Sequence, residues 1–223
     1  MPAYGRIVLG GDSVRSRRKT QLIRPKSVQS VQKSHEEGVF SGDFDRDLQA
    51  IQGVLCNASD LKLNIIRTGG MQRVGLLFYN NMIDTDILSR NIIKPLQATE
   101  EILSADRVTQ QLISVSDTSI LPEIGVAANA LSRGAVLLVL EGVPLGVLAN
   151  IIKVVHRPIE HSQSEDNIIG PHHSFSETLA DNIAIMRLTL ATPDFKILSL
   201  ELGTLSRTRV AVMYVDGVMR CAV

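Results

Sequence analysis

The 223 residues predict an α+β (α/β) chain built as two small α/β lobes, and three observations carry that reading. Apolar spacing switches between the 3–4 residue period of helices and the alternating or continuous runs of strands. Glycine, proline and asparagine fall between those runs, where turns need them. The order helix, strand, glycine-containing turn, strand occurs twice, from Phe44 to Tyr79 and from Phe175 to Tyr214, in the outline of an internal repeat. The predicted organisation is a basic, disordered tail over residues 1–40, a first lobe over 41–96, a helical connector over 97–133 and a second lobe over 134–223.

Taken in order, Phe44, Leu48, Ile51 and Leu55 lie on one helical face, with Asp43 as N-cap and Asn57 as a stop signal. Leu61, Leu63 and Ile65 alternate with polar neighbours as in a half-buried strand. Thr68-Gly69-Gly70 turns the chain, and Val74 to Tyr79 is the continuous run of a covered strand. Asp84 caps a helix bearing Ile87, Leu88, Ile92 and Ile93, limited by Pro95. The connector is mixed helix, broken at Ser114 to Thr118 and restarted at Pro122. Ala135 to Leu140 and Leu145 to Val155 form a hairpin that opens the second lobe. Residues 157–174 form a long polar loop. Leu179, Ile183, Met186 and Leu190 return to helical spacing, and two strands follow. The chain stops where the first copy enters its Asp84 helix, so the reading expects a piece of something longer.

Charge is unevenly placed. The first 34 residues hold eight basic side chains against Asp12, so they carry +7 and the remainder carries −7. Such a tail reads as a solvated arm or as an attraction to an anionic lipid surface or nucleic acid. Aromatics are scarce and tryptophan is absent, which weighs against carbohydrate and single-stranded nucleic-acid sites. Cys56 and Cys221 have no CxxC spacing, so neither a disulfide framework nor a zinc signature is present. The most apolar stretch, Gly134 to Ile152, is interrupted by Glu141 and Pro144 and reads as buried strands, since a spanning helix needs about 20 apolar residues.

Catalytic signatures are weak. His156, His161, His172 and His173 share one loop, residues 156–173, with Glu160, Glu165 and Asp166. Imidazole and carboxylate donors suit a metal, but no pair sits at i, i+4 on a helix, and a solvated polar loop explains them. No P-loop, dinucleotide cradle or nucleophile elbow occurs. The expectation is therefore a protein that is not an enzyme and carries no cofactor. Gly203 and Gly217 read as turn glycines, and Glu177 and Arg187 as solvated charges, with an interface role as the alternative.

A pattern of residues then points to a family. Arg157-Pro158, Glu165, Asn167-Ile-Ile-Gly170-Pro171, Phe175-Ser-Glu177, Asn182 and Arg187 come in order, followed by Asp194-Phe-Lys, Gly203, Ser206-Arg-Thr208 and Val210 through Tyr214 to Gly217. Leu77-Phe-Tyr-Asn-Asn-Met-Ile-Asp84 and Ile93-Lys-Pro-Leu96 add to it upstream. Together, from about 43 to 223, they resemble the A subunit of the GerA-family spore germination receptors. The chain departs from the family's charges at His172-His173 and at Met186-Arg187, which puts contacts made by those charges in doubt.

The resemblance implies a cytoplasmic region, on the core side of the spore inner membrane, ahead of a missing transmembrane part. It implies B and C subunits as partners, a homo-oligomer of A subunits in an ion-conducting complex, and no nucleic acid. Asp84, Gly170, Pro171, Phe175, Glu177, Asn182, Arg187, Gly203, Ser206, Thr208, Tyr214 and Gly217 would be its structural or interface residues. The role expected is assembly and signal relay in nutrient germination. The alternatives are a small-molecule site between the lobes, or a metal-dependent enzyme using the histidine loop.

Overall fold

A computed structural model describes residues 38–55, 58–153 and 175–216. Helix α1 (Phe44–Val54) buries Phe44, Leu48 and Ile51, and Leu55 follows on the same face. Asp43 caps it, its carboxylate accepting from the Arg46 N–H at 3.2 Å. Buried Asp47 ties the entry down by accepting from the Ser41 and Gly42 N–H groups. Strands β1 (Leu61–Arg67) and β2 (Arg73–Tyr79) pair antiparallel across the Thr68–Gln72 turn.

A helical run, α2, follows: Thr85–Ile87, the π-helical Leu88–Ile93 and Lys94–Ala98. Asp84 caps it through the Asp86 and Ile87 N–H groups. A shorter run, α3, joins Ala105–Arg107 to the π-helical Val108–Leu112. Then come β3 (Thr118–Leu121), α4 (Ile124–Ser132), β4 (Ala135–Leu140) and β5 (Gly146–Asn150).

These strands form one antiparallel five-stranded sheet in the order β1-β2-β4-β5-β3. Helices α1 and α4 cover one face over Leu77, Tyr79, Leu137 and Val139. Helices α2 and α3 cover the other, where Leu88, Ile92 and Leu96 meet Val74, Leu76 and Phe78. Close approach of α1 requires Gly75, where a Cβ would come within 3.0 Å of the Leu48 side chain. A second, two-stranded sheet pairs β6 (Phe195–Leu202) with β7 (Thr208–Val215). Helix α5 (Leu179–Thr189) packs on one of its faces through Ile183, Leu179 and Met186 against Phe195, Ile197 and Met213. The chain is thus α+β.

Several expectations change. The hairpin of β4 and β5, expected to open the second lobe at residue 134, belongs to the first sheet, with Val74 to Leu77 pairing Leu140 to Leu137. All six residues of β4 are buried, and only a central strand covered on both faces satisfies such a run. The helical connector contains β3, which completes that sheet on the far edge. Pro95 does not end the helix; the preceding π-helical turn shifts the hydrogen-bond ladder, and the proline sits in the first turn of the α-segment after it. Strand β1 is an edge strand, so Leu63 and Ile65 remain exposed where half-burial was expected. The residues 1–37, the stop signal Asn57, the histidine loop with Gly170 and Pro171, and Gly217 lie outside the described residues.

Candidate functional site

The small second sheet, with α5 on one face, has a small buried core. Its buried residues are Ile183, Phe195 and Ile197, and the helix supplies the cover that a two-stranded hairpin needs in water. What attaches it to the large sheet is concentrated at one junction.

Arg187 lies in the last turn of α5 on the face shared by Leu179 and Ile183, eight and four residues before it, so it points into the junction. It is 0 % exposed. Its Nε donates to Asp60 Oδ2 at 2.8 Å and its Nη2 to Asp60 Oδ1 at 2.7 Å, a two-pronged pairing that fixes both planes. Its Nη1 donates to the Phe195 carbonyl at 3.3 Å. The guanidinium lies 3.6 Å from the centroid of the Tyr79 ring and 5.3 Å from that of Phe195. One cation thus touches the turn before β1, the end of β2 and the start of β6.

The Asp60 turn is stitched to the second sheet by backbone and hydroxyl bonds as well. Ser59 donates its N–H (3.1 Å) and its hydroxyl (2.8 Å) to the Ile197 carbonyl, and its oxygen accepts from the Ser199 N–H. Burial pushes the Tyr79 phenol up to about 12, against the opposing pull of the Arg187 cation. Its hydroxyl has no hydrogen-bond partner among the described residues. A charge pair taken this far out of water is held only by good geometry, and removing one partner typically costs about 3–5 kcal/mol.

A cleft of about 470 Å³ opens beside the pair, with Asp60, Lys62, Asn80, Ile183, Glu201 and Arg209 in its walls. A second recess of about 380 Å³ adjoins it, sharing Asn80, Asn81 and Ala180 and adding Asp84, Asp86 and Asp181.

The residues singled out by sequence fall unevenly around this junction. Arg187 is at its centre, and the expectation of a solvated charge is overturned: a cation on the apolar stripe of a helix must be buried with a partner. Glu177 is exposed, as expected. Asn182 organises the entry to α5, accepting from the Ser176 N–H and donating to the Ser176 carbonyl, both at 2.7 Å. Phe175 is exposed. Gly203, at φ +85°, begins the β6–β7 turn, where Ser206 and Thr208 join hydroxyls at 3.1 Å. Tyr214 is on the face of β7 turned away from α5. Asp84 acts as a helix cap at the adjoining recess.

Asp60 and Tyr79 were not anticipated. Nothing local marks Asp60 as an ion-pair partner; the one available signal was Arg187 on an apolar stripe, which demands a carboxylate somewhere. Among the described residues no group of three metal-ligating side chains occurs, and no helix is long and apolar enough to cross a membrane.

Comparison with known proteins adds the following. A family model described as Bacillus/Clostridium GerA spore germination protein matches residues 49–223. The uncharacterized membrane protein YfkQ of Bacillus subtilis (strain 168) is 22 % identical over 198 residues, covering 87 % of this chain and 39 % of that protein. Spore germination protein GerQA of Bacillus cereus is 22 % identical over 175 residues, covering 78 % and 34 %. Spore germination protein KA of Bacillus subtilis (strain 168) is 23 % identical over 172 residues, covering 73 % and 31 %. The chain therefore spans between 31 % and 39 % of the length of these relatives. The crystal structure of the N-terminal domain of the A subunit of the Bacillus megaterium spore germinant receptor GerK3 shares the fold, with a TM-score of 0.59 at 16 % identity, covering 82 % of this chain and 69 % of that one.

Proposed function

The chain belongs to the GerA family of spore germination proteins, and from that we propose that it serves as the N-terminal domain of an A-type subunit in a nutrient germinant receptor. In this reading it acts beside the spore inner membrane, on the core side, with B and C subunits and further A subunits as partners. It assembles and relays, and does not catalyse.

The observation that carries the reading is the buried Arg187–Asp60 pair. A relay needs an element that transmits displacement without absorbing it. The two-pronged pair, stacked on Tyr79, ties α5 and β6 to the turn before β1 at a dry point. Movement of the second sheet must either carry the large sheet with it or break the pair. Couplings between sites are typically about 1–3 kcal/mol, less than the cost of breaking such a pair, so the two sheets move together.

The test is made in spores. Arg187→Met in the otherwise intact receptor is expected to abolish the response to nutrients, measured per amount of receptor present, while leaving non-nutrient germination unchanged. A normal nutrient response at normal receptor level would refute the relay.

A further inference from the structure

The five-stranded sheet ends in β1 on one side and β3 on the other, and the two edges are finished differently. Strand β3 is four residues long, and just past it the Val39–Glu123 bridge takes up the edge. Strand β1 is seven residues long and pairs with β2 in continuous register from Leu61 to Arg67. The Thr68 N–H to the Gln72 carbonyl and the Asn80 N–H to the Asp60 carbonyl bracket that ladder. Alternate residues of an antiparallel pair bond inward, so Lys62, Asn64 and Ile66 bond to β2. Leu63, Ile65 and Arg67 turn their N–H and C=O groups outward, and no strand among the described residues pairs with them.

Sheet edges are commonly blunted by proline, by a bulge or by shortness, and β1 has none of these. It exposes Leu63 (36 %) and Ile65 (52 %) on one face, two residues apart. Its charges are Lys62 and Arg67, both exposed, with no acid between residues 61 and 67. Lys62 makes no hydrogen bond or ion pair among the described residues. Arg67 pulls on the Glu141 carboxyl, which Arg73 already holds with two side-chain bonds.

We propose that the β1 edge accepts an extended segment of another protein, aliphatic at its centre and acidic toward its ends, as a sixth strand of the sheet. Backbone bonds to Leu63, Ile65 and Arg67 hold such a strand, and alternate side chains select it. Aliphatic side chains opposite Leu63 and Ile65 form cross-strand apolar pairs. Carboxylates opposite Lys62 and Arg67 add little affinity, because those cations are exposed, but they reject basic strands. A second copy of this chain is the poorer occupant, since two β1 strands bring four cations and no acid to one seam. The edge lies outside the Arg187 clamp, so the proposal goes beyond the relay reading and does not depend on it.

The test uses the 223-residue chain and a capped peptide of sequence Glu-Thr-Val-Thr-Val-Glu-Thr. Run antiparallel to β1, its first glutamate falls opposite Arg67, its valines opposite Ile65 and Leu63, and its second glutamate opposite Lys62. The control peptide has lysine in place of both glutamates. Hydrogen exchange of single backbone amides is followed by NMR. The glutamate peptide is expected to slow exchange at Leu63, Ile65 and Arg67 while leaving Asn64 and Ile66, already bonded to β2, unchanged. The lysine peptide is expected to bind at least about ten-fold more weakly. Ile65→Lys is expected to weaken the glutamate peptide by a similar factor, and Lys62→Glu with Arg67→Glu to reverse the preference between the two peptides. Unchanged exchange at Leu63, Ile65 and Arg67 at about 1 mM peptide, or equal binding of both peptides, would overturn the proposal. Protection of the same amides that grows with protein concentration alone would also overturn it and assign the edge to a second copy. Either failure leaves the relay reading standing, because that rests on Arg187→Met in spores.

Discussion

The hairpins β1–β2 and β6–β7 begin alike and end in different surroundings. Each pairs antiparallel across a five-residue turn, Thr68–Gln72 in one and Gly203–Arg207 in the other. In each, a helix that precedes it covers the face carrying the first residue of the strand, α1 over Leu61 and Leu77, α5 over Phe195 and Met213. On the opposite face they part. Val74, Leu76 and Phe78 are buried under α2, whereas Val212 (44 % exposed) and Tyr214 stand open beside Leu198 and Leu200. Their leading arginines differ in the same way. Arg73 pairs with Glu141 and Asp45 and holds the Glu141 carboxyl below its usual range, while Arg209 has no partner among the described residues and faces the cleft.

The difference shows how a hairpin is stabilised when burial is incomplete. The first hairpin rests on two hydrophobic clusters. The second has one small cluster and is held by a buried ion pair together with the Ser59 hydrogen bonds, so its attachment is directional where that of the first is diffuse.

The largest expected effect breaks that attachment. Arg187→Met strands the Asp60 carboxylate in a dry site and is expected to lower stability by about 3–5 kcal/mol. The double variant Asp60→Leu, Arg187→Met should regain much of the loss, since a well-packed apolar pair can replace a buried charge pair. Urea midpoints of the three chains check this; a single-variant loss below about 1 kcal/mol, the size of a surface change, would mean the pair is solvated.

The next effect sharpens the contrast between the two faces. Leu76→Ala should cost about 2–5 kcal/mol, because it opens a cavity under α2. Val212→Ala, one strand face away from any cover, should cost less than about 1 kcal/mol. Equal losses in chemical denaturation would show that the open face is covered in solution.

The smallest effect is read from pH. Tyr79 is neutral in the folded chain up to about 12, whereas the unfolded phenol ionises near 10. The raised folded value favours the protonated phenol, so its contribution is fully present below pH 10 and is lost between about pH 10 and 12. Tyr79→Phe keeps the ring beneath Arg187 and should flatten the loss of stability across that window. An unchanged slope would assign it to other groups.

Much of the molecule was legible because its causes are local. The Phe44–Leu48–Ile51–Leu55 face, the Asp43 and Asp84 caps, the buried run of β2 and the turn at Gly203 each follow from a few adjacent residues. The place of the β4–β5 hairpin was not legible. Its apolar run says that it is covered on both faces but not by which neighbours, and β2 is some sixty residues earlier. Charge was harder still: Arg187 and Asp60 are 127 residues apart, and spacing along α5 reveals a cation on an apolar stripe without revealing its partner.

By itself the sequence determined the elements outside the 97–133 connector and the Asp43 and Asp84 caps, since each depends on backbone preference and apolar period within about one or two turns, and its ordered residue pattern marks the family. The tertiary structure alone decided that β3, β4 and β5 join the first sheet, that one face of β6–β7 stays open, and that Arg187 meets Asp60 under Tyr79. Those outcomes depend on which distant surfaces exclude water from one another, and only the folded chain brings those surfaces together.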